Sequence, residues 1–308
     1  MNTSRICLAL AALASSFAFS AQAQEGPKHL CDILPKNNFH IYDNVDKIAN
    51  LTEAQFNTLI NQVIGIYAPL ASSHGGNLRG VPNWKDSTVN AYAEQNGSDW
   101  TVQMFGGLAR RAEVSPDGFS LVICHEVGHH LGGFPYYDAQ SGDWAAVEGQ
   151  ADYFATQACA HALWGNTKTE NAAFRANVPV SAKAKCDRSW SKTEDQDLCY
   201  RSTQAGQSLA NLLAAITYLP VPSLTTPDTH KVARTNANHP VAQCRLDTYF
   251  RGSLCTTPFD SQVIPARNHP SGQDSAEAEQ DAAKVSCDGP TSSDLGARPA
   301  CWFKSQLN

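Results

Sequence analysis

The stretch ICHEVGHHLGG, Ile123 to Gly133, puts three histidines and a glutamate within six residues of an otherwise apolar segment. On a helix, His125 and His129 stand four apart on one face, with Cβ atoms about 5–6 Å apart. Two imidazole nitrogens so placed can meet one zinc ion at about 2.0–2.1 Å each. Glu126 flanks that ion without reaching it, which suits a general base acting on water. His130 points about 100° away from His129 on the helix, so packing or capping is its expected role.

Two histidines do not complete a site, because a catalytic zinc usually takes three protein ligands. The segment Val147-Glu148-Gly149-Gln150-Ala151-Asp152 offers Glu148, nineteen positions after His129. That distance leaves room to finish one helix, turn at Gly132-Gly133-Phe134-Pro135 and return. Asp152 lies one turn beyond Glu148 on the same face. It can accept the second ring N–H of a ligating histidine and so fix that ring.

These side chains need helices to carry them. Ser115 as cap, Pro116 in the first turn and Asp117 against the positive end of the dipole predict a helix over 116–131, stopped at Gly132-Gly133. A second is expected from Trp144 to Trp164, stopped by Gly165-Asn166. Upstream, Thr52 and Gln55 form a capping box, and Leu51 can staple to Phe56. Apolar residues at Phe56, Leu59, Ile60, Val63, Ile64 and Tyr67 then keep helical spacing up to Pro69. Ser72 to Asn77 reads as a loop. Segments 88–93 and 100–105 read as two strands around a turn at Asn96-Gly97. Further helices are expected from Ser202 to Leu219 and from Pro240 to about Tyr249. Beyond Cys255 the chain is rich in Pro, Ser, Asp and Gly, and reads as an irregular tail with one disulfide.

The 308 residues are 42% hydrophobic and 17% charged, with a formal net charge of −6. Such a chain can build a core, and its negative balance argues against a nucleic-acid partner. Arg5, the apolar run from Cys7 to Ser20 and the A-x-A site Ala21-Gln22-Ala23 read as an export signal cleaved near Ala23. No later segment reaches about 18 apolar residues, so no membrane span is expected in the mature chain. The expected layout is therefore a signal over 1–23, a catalytic domain over 24–255 and a tail over 256–308. Nine of the ten cysteines follow the signal, and an exported chain with so many thiols is expected to hold disulfides. Short loops suggest Cys186–Cys199, Cys244–Cys255 and Cys287–Cys301. Cys124, inside a buried helix, is the expected leftover thiol.

HExxH, an eighteen-residue gap and a glutamate with an aspartate four later resemble the gluzincin zinc peptidases, which include thermolysin-like enzymes. That resemblance covers 125–152. It implies zinc held by His125, His129 and Glu148, with Glu126 as general base. A longer resemblance is to the HtpX-like and CAAX prenyl protease family. It rests on Asn90-Ala91-Tyr92-Ala93, His129-His130, Glu148 to Asp152, and His239-Pro240 with Arg245. The order is the family's, over 90–245. The gap before the third ligand is shorter than is usual there, many members are membrane-embedded, and this chain is rich in cysteine.

The resemblance implies an α+β zincin fold, mostly helical, with a small sheet above the active-site helix. A protein or peptide substrate would lie along an edge strand, where Asn90 could bond its backbone by strand addition, or merely end the strand. His239 could stabilise an oxyanion or cap the helix beside Pro240. Arg245 could bind a ligand carboxylate, or hold His239 and the acids behind the ligands in place. The expectation is a secreted or periplasmic zinc-dependent endopeptidase. A non-catalytic zinc-containing binding module and a zinc hydrolase of a non-peptide amide are the other readings.

Overall fold

The computed structural model of this chain describes residues 31–43, 50–137, 144–288 and 295–307. The expected signal over 1–23 lies outside them. The described part is a mixed α+β structure with a small sheet and four disulfides. In chain order it runs β1 (Cys31–Asp32), α1 (Glu53–Ser73), β2 (Asn77–Asn83), β3 (Ala91–Asn96), β4 (Asp99–Phe105), α2 (Gly106–Ala109), α3 (Pro116–Leu131) and α4 (Glu148–Phe154). After a π-helical turn at Ala155–Cys159 come α5 (Ala160–Trp164), α6 (Lys168–Ala172), α7 (Val180–Ser189), α8 (Thr193–Thr217), α9 (Ala242–Leu254) and α10 (Ala276–Ala282). Among the described residues no helix is long and apolar enough to cross a membrane.

The four-stranded sheet has the order β1-β3-β4-β2. β1 and β4 run antiparallel to β3, and β2 runs parallel to β4. Alternation along β4 buries Trp100, Val102 and Met104 against α1 and α3, and Ala91 and Ala93 of β3 face the same way. α3 is the centre of the molecule: every residue from Gly118 to Leu131 is buried.

Where local chemistry sets an element, it forms as expected. The Thr52–Gln55 capping box is present, and the Ser115 hydroxyl accepts from the Gly118 amide to open α3 over 116–131. α1 runs past Pro69 to Ser73, because Leu70 and Ala71 bury against the core on the far side of it. The helix expected from Trp144 starts only at Glu148. Residues 144–147 turn into an isolated bridge with Tyr136 instead, with the Ala146 amide donating to the His129 carbonyl at 3.0 Å and the Val147 amide donating to the Pro135 carbonyl at 3.0 Å. α8 begins at Thr193 rather than Ser202; its first turns are polar, with Glu194 and Asp195 at the positive end of the dipole. α9 extends to Leu254.

The disulfides are Cys124–Cys159, Cys186–Cys199, Cys244–Cys301 and Cys255–Cys287, with Cys31 the free thiol among the described residues. Cys186–Cys199 is the pairing expected from spacing; the other two short-loop pairings are overturned. A bridge from Cys244 to Cys255 fails because α9 holds them about 16 Å apart along its axis, far beyond disulfide reach. Each end of α9 instead bonds into the segment after residue 286. Cys124 is not the leftover thiol: it faces Cys159 across the helix pair, Cα to Cα 5.7 Å. The tail is largely irregular beyond α10, but it is packed. Trp302 is wholly buried against Gly149, where any Cβ would meet the indole at 2.2 Å.

Asp247 on α9 is buried, accepting from the Asp228 amide at 2.6 Å and from Gln243 Nε2 at 3.0 Å. Burial pushes its carboxyl up to about 6. The folded chain then holds this proton more tightly than the unfolded chain does. The group's stabilising contribution is present at low pH and is lost as pH rises from about 4 to about 6. Asp247→Asn removes that titration. Its Tm relative to the parent should climb between pH 4 and pH 6.5 in thermal melts; a difference independent of pH would rule out the buried proton.

Candidate metal centre

Two helices carry the centre. α3 presents His125 and His129 on one face, and the first turn of α4 presents Glu148, with Asp152 a turn later. Gly128 sets the close approach of the two helices: a Cβ there would meet the Ala151 Cα and carbonyl oxygen, each at 3.0 Å. The Tyr136–Ala146 bridge before Glu148 also matters, since it aims the Ala146 carbonyl at His129.

His125 Nε2 and His129 Nε2 stand 3.0 Å apart. Glu148 Oε2 is 3.3 Å from the first, and Oε1 is 3.6 Å from the second. All three side chains are wholly buried, with one ligand atom of each within 4.8 Å of the others. Donors about 2.0–2.1 Å from a tetrahedral zinc lie about 3.3–3.4 Å from one another. The three donors are therefore spaced for one small cation.

The tautomers agree. His125 Nδ1–H donates to Asp152 Oδ1 at 2.8 Å, and His129 Nδ1–H donates to the Ala146 carbonyl at 2.7 Å. Both leave an Nε2 lone pair facing the centre. Arg245 locks Asp152 in turn, with Nε to Oδ2 and Nη2 to Oδ1 both at 2.6 Å, while the Tyr249 hydroxyl donates to Oδ1 at 2.5 Å.

Charge follows the geometry. Burial alone would lower the His125 pKa, but Asp152 and Glu148 bring it up to about 9. Burial takes His129 down to about 4, so without a metal the pair carries at most one proton beyond its two Nδ1–H groups, on His125, and a bound cation would replace it. Burial would raise Glu148, but His239, His129 and His125 hold it well below the usual carboxylate range. Asp152 is held low by Arg245 against its own burial. Glu126 goes the other way: burial, reinforced by Glu148, pushes it well up. Both Glu126 oxygens are buried and unpartnered, as is Glu148 Oε2. A carboxylate so placed wants a water or cation that protein atoms do not provide.

His125, His129, Glu148, Asp152, Arg245 and His239 are thus brought together in one place. Arg245 is wholly buried and bonded to Asp152, so it holds the acid behind His125 rather than a ligand. His239 Nε2 donates to the Asp32 carbonyl at 2.6 Å and lies 3.5 Å from Glu148 Oε2, which puts it beside the centre. Asn90 bonds backbone, but that of the chain's own Leu34. His130 packs, stacked between Trp100 and Trp144 at centroid distances of 5.7 and 5.0 Å. Sequence reasoning missed Tyr137, whose hydroxyl donates to Glu148 Oε1 at 3.3 Å. It also missed Tyr249, although Tyr249 sits one turn after Arg245. Cys31, counted in the sequence only among the disulfide cysteines, is the buried free thiol, and burial and the carboxylates of Glu148 and Glu126 push it well up.

The chain matches no protein-family model, no curated protein and no solved structure.

Proposed function

We propose that this protein is an exported zinc-dependent endopeptidase with a zincin-type centre. One observation carries the reading. Two imidazole nitrogens and a carboxylate converge on a point, and the buried carboxylate of Glu126, which has no hydrogen-bond partner, feels the charges of His125 and Glu148 there. The donor set of two imidazoles and one carboxylate suits zinc. When bound, such an ion supplies Lewis acidity, polarising a carbonyl and lowering the pKa of water.

The chain's own residues do the rest. Glu126 takes the proton from the attacking water and passes it to the leaving amine. Its raised pKa makes the protonated form accessible during turnover. His239 donates to the oxygen of the scissile carbonyl, as it now donates to a backbone carbonyl. Asn90 and the edge of β3 would hold the peptide as an added strand in place of residues 31–34, which occupy them in this structure. Asp152, Arg245 and Tyr249 fix His125 in its ligating tautomer.

A non-catalytic zinc module fits less well. Structural zinc sites are usually closed by four ligands, mostly cysteine. Among the described residues this cluster has three, and a carboxylate poised beside them. Four disulfides and no thiol-rich metal motif agree with an oxidising compartment. The test is hydrolysis of unfolded casein by the purified mature chain. Activity should disappear with a strong chelator and return with added zinc. Casein left intact by the zinc-loaded chain would overturn the peptidase reading.

A further inference from the structure

The edge of β3 that a substrate strand would join is already taken by the chain itself. Cys31 and Asp32 pair antiparallel with Ala93 and Tyr92, and the Ile33 amide donates to the Ala91 carbonyl at 3.0 Å. The next backbone groups go to side chains. His239 Nε2 donates to the Asp32 carbonyl at 2.6 Å. Arg245 Nη1 donates to the Ile33 carbonyl at 2.6 Å. The Asn90 amide accepts from Leu34 N–H at 3.2 Å and donates to its carbonyl at 3.3 Å.

Two of these donors, Asn90 and His239, are the groups given above to the backbone and carbonyl of a substrate. The His239 ring that grips Asp32 is also 3.5 Å from the ligand Glu148, so the Asp32 carbonyl stands next to the centre. His125, Glu126, His129 and Glu148 all have no exposed surface. A peptide of any length must displace something to reach them.

We propose that Cys31–Leu34 is an inhibitory strap, lying in the cleft as a substrate would and closing the centre until it lifts. The consequence for hydrolysis rests on the peptidase reading; the consequence for access to the centre does not. Lifting the strap breaks a short antiparallel pairing and the bonds to His239, Arg245 and Asn90, takes the buried side chains of Cys31, Ile33 and Leu34 out of the core, and leaves the β3–β4 ladder intact. Sheet edges are where extended segments exchange most readily. Once it has lifted, the β3 edge, Asn90 and His239 are free for another strand.

The strap can be pinned. Asp32 and Tyr92 are register partners. Cross-strand partners have Cα atoms about 4.5–5.5 Å apart, within disulfide reach. The experiment uses the full mature chain, zinc-loaded, as Asp32→Cys with Tyr92→Cys in a Cys31→Ser background, against Cys31→Ser alone. Oxidation should slow the stripping of zinc by excess chelator at least tenfold and reduce casein hydrolysis at least tenfold. Equal stripping rates would overturn the strap. If neither protein cleaves casein, the peptidase reading fails and stripping alone decides the strap. Should the pinned protein not fold, amide hydrogen exchange on the unmodified chain decides. Under the strap, the Ile33 amide exchanges at least a hundredfold faster than the amides of the β3–β4 ladder. Equal protection would make residues 31–34 a permanent strand.

Discussion

Glu126→Gln should leave zinc content unchanged and lower casein hydrolysis by about 10²- to 10⁴-fold, the range a positioned general base contributes. The expectation comes from a contrast between two buried carboxyls that both feel the charge of His125. Glu148 is surrounded by three imidazoles that hold it ionised, which is what a ligand needs. Glu126 has no partner for either oxygen, and burial pushes its pKa up, which is what a proton carrier needs. Glutamine keeps the shape and cannot take the proton. Because Glu126 bonds to no protein group, the exchange should not lower Tm. Zinc content by mass spectrometry and initial rates on casein separate the possible roles. A variant that loses zinc would make Glu126 a ligand, and one that cleaves at the parental rate would remove it from the chemistry.

Most of this centre was legible in the sequence, because its parts are set by local chemistry. Ser115 and Pro116 fix where α3 starts, and that start fixes which face His125 and His129 share. Four-residue spacing puts Glu148 and Asp152 on a second shared face in the same way. That α4 begins at Glu148 rather than at Trp144 was not legible. It depends on Ala146 and Val147 pairing with His129 and Pro135, and nothing in the helical propensity of 144–147 signals those partners. β2 was missed for a related reason. Gly80 and Pro82 interrupt its alternation, and its strand character comes from parallel pairing with β4. Three of the four disulfides were missed because helices decide which sulfurs meet. Cys124 finds Cys159 only once α3 and the following helix are side by side, and α9 keeps Cys244 from Cys255. The strap was furthest from view. No property of Cys31-Asp32-Ile33-Leu34 says that its carbonyls will meet His239 and Arg245, more than two hundred residues later.

Arg245 is where the fold and the centre are joined, and Arg245→Met should destabilise the protein by about 3–5 kcal/mol, the usual effect of removing one partner from a buried ion pair. The guanidinium is wholly buried. It holds both oxygens of Asp152, the Ile33 carbonyl and, at 3.2 Å, the Tyr249 hydroxyl. Without it Asp152 is left as a buried carboxylate whose charge is balanced only by the His125 ring. Denaturant melts of the metal-free protein would read that loss as a lower midpoint with an unchanged slope. Asp152→Asn leaves the buried Arg245 charge without its partner, so it should cost a similar amount of stability, and it should weaken zinc binding by about 10–100-fold, since it removes the carboxylate that fixes the His125 tautomer. In the double variant the two effects should fall well short of their sum, because the first substitution already removes the pair that the second would break. Additive effects would mean that Arg245 acts through the Ile33 carbonyl and not through Asp152. Arg245→Met should then also speed the stripping of zinc, which ties the measurement of stability to that of access.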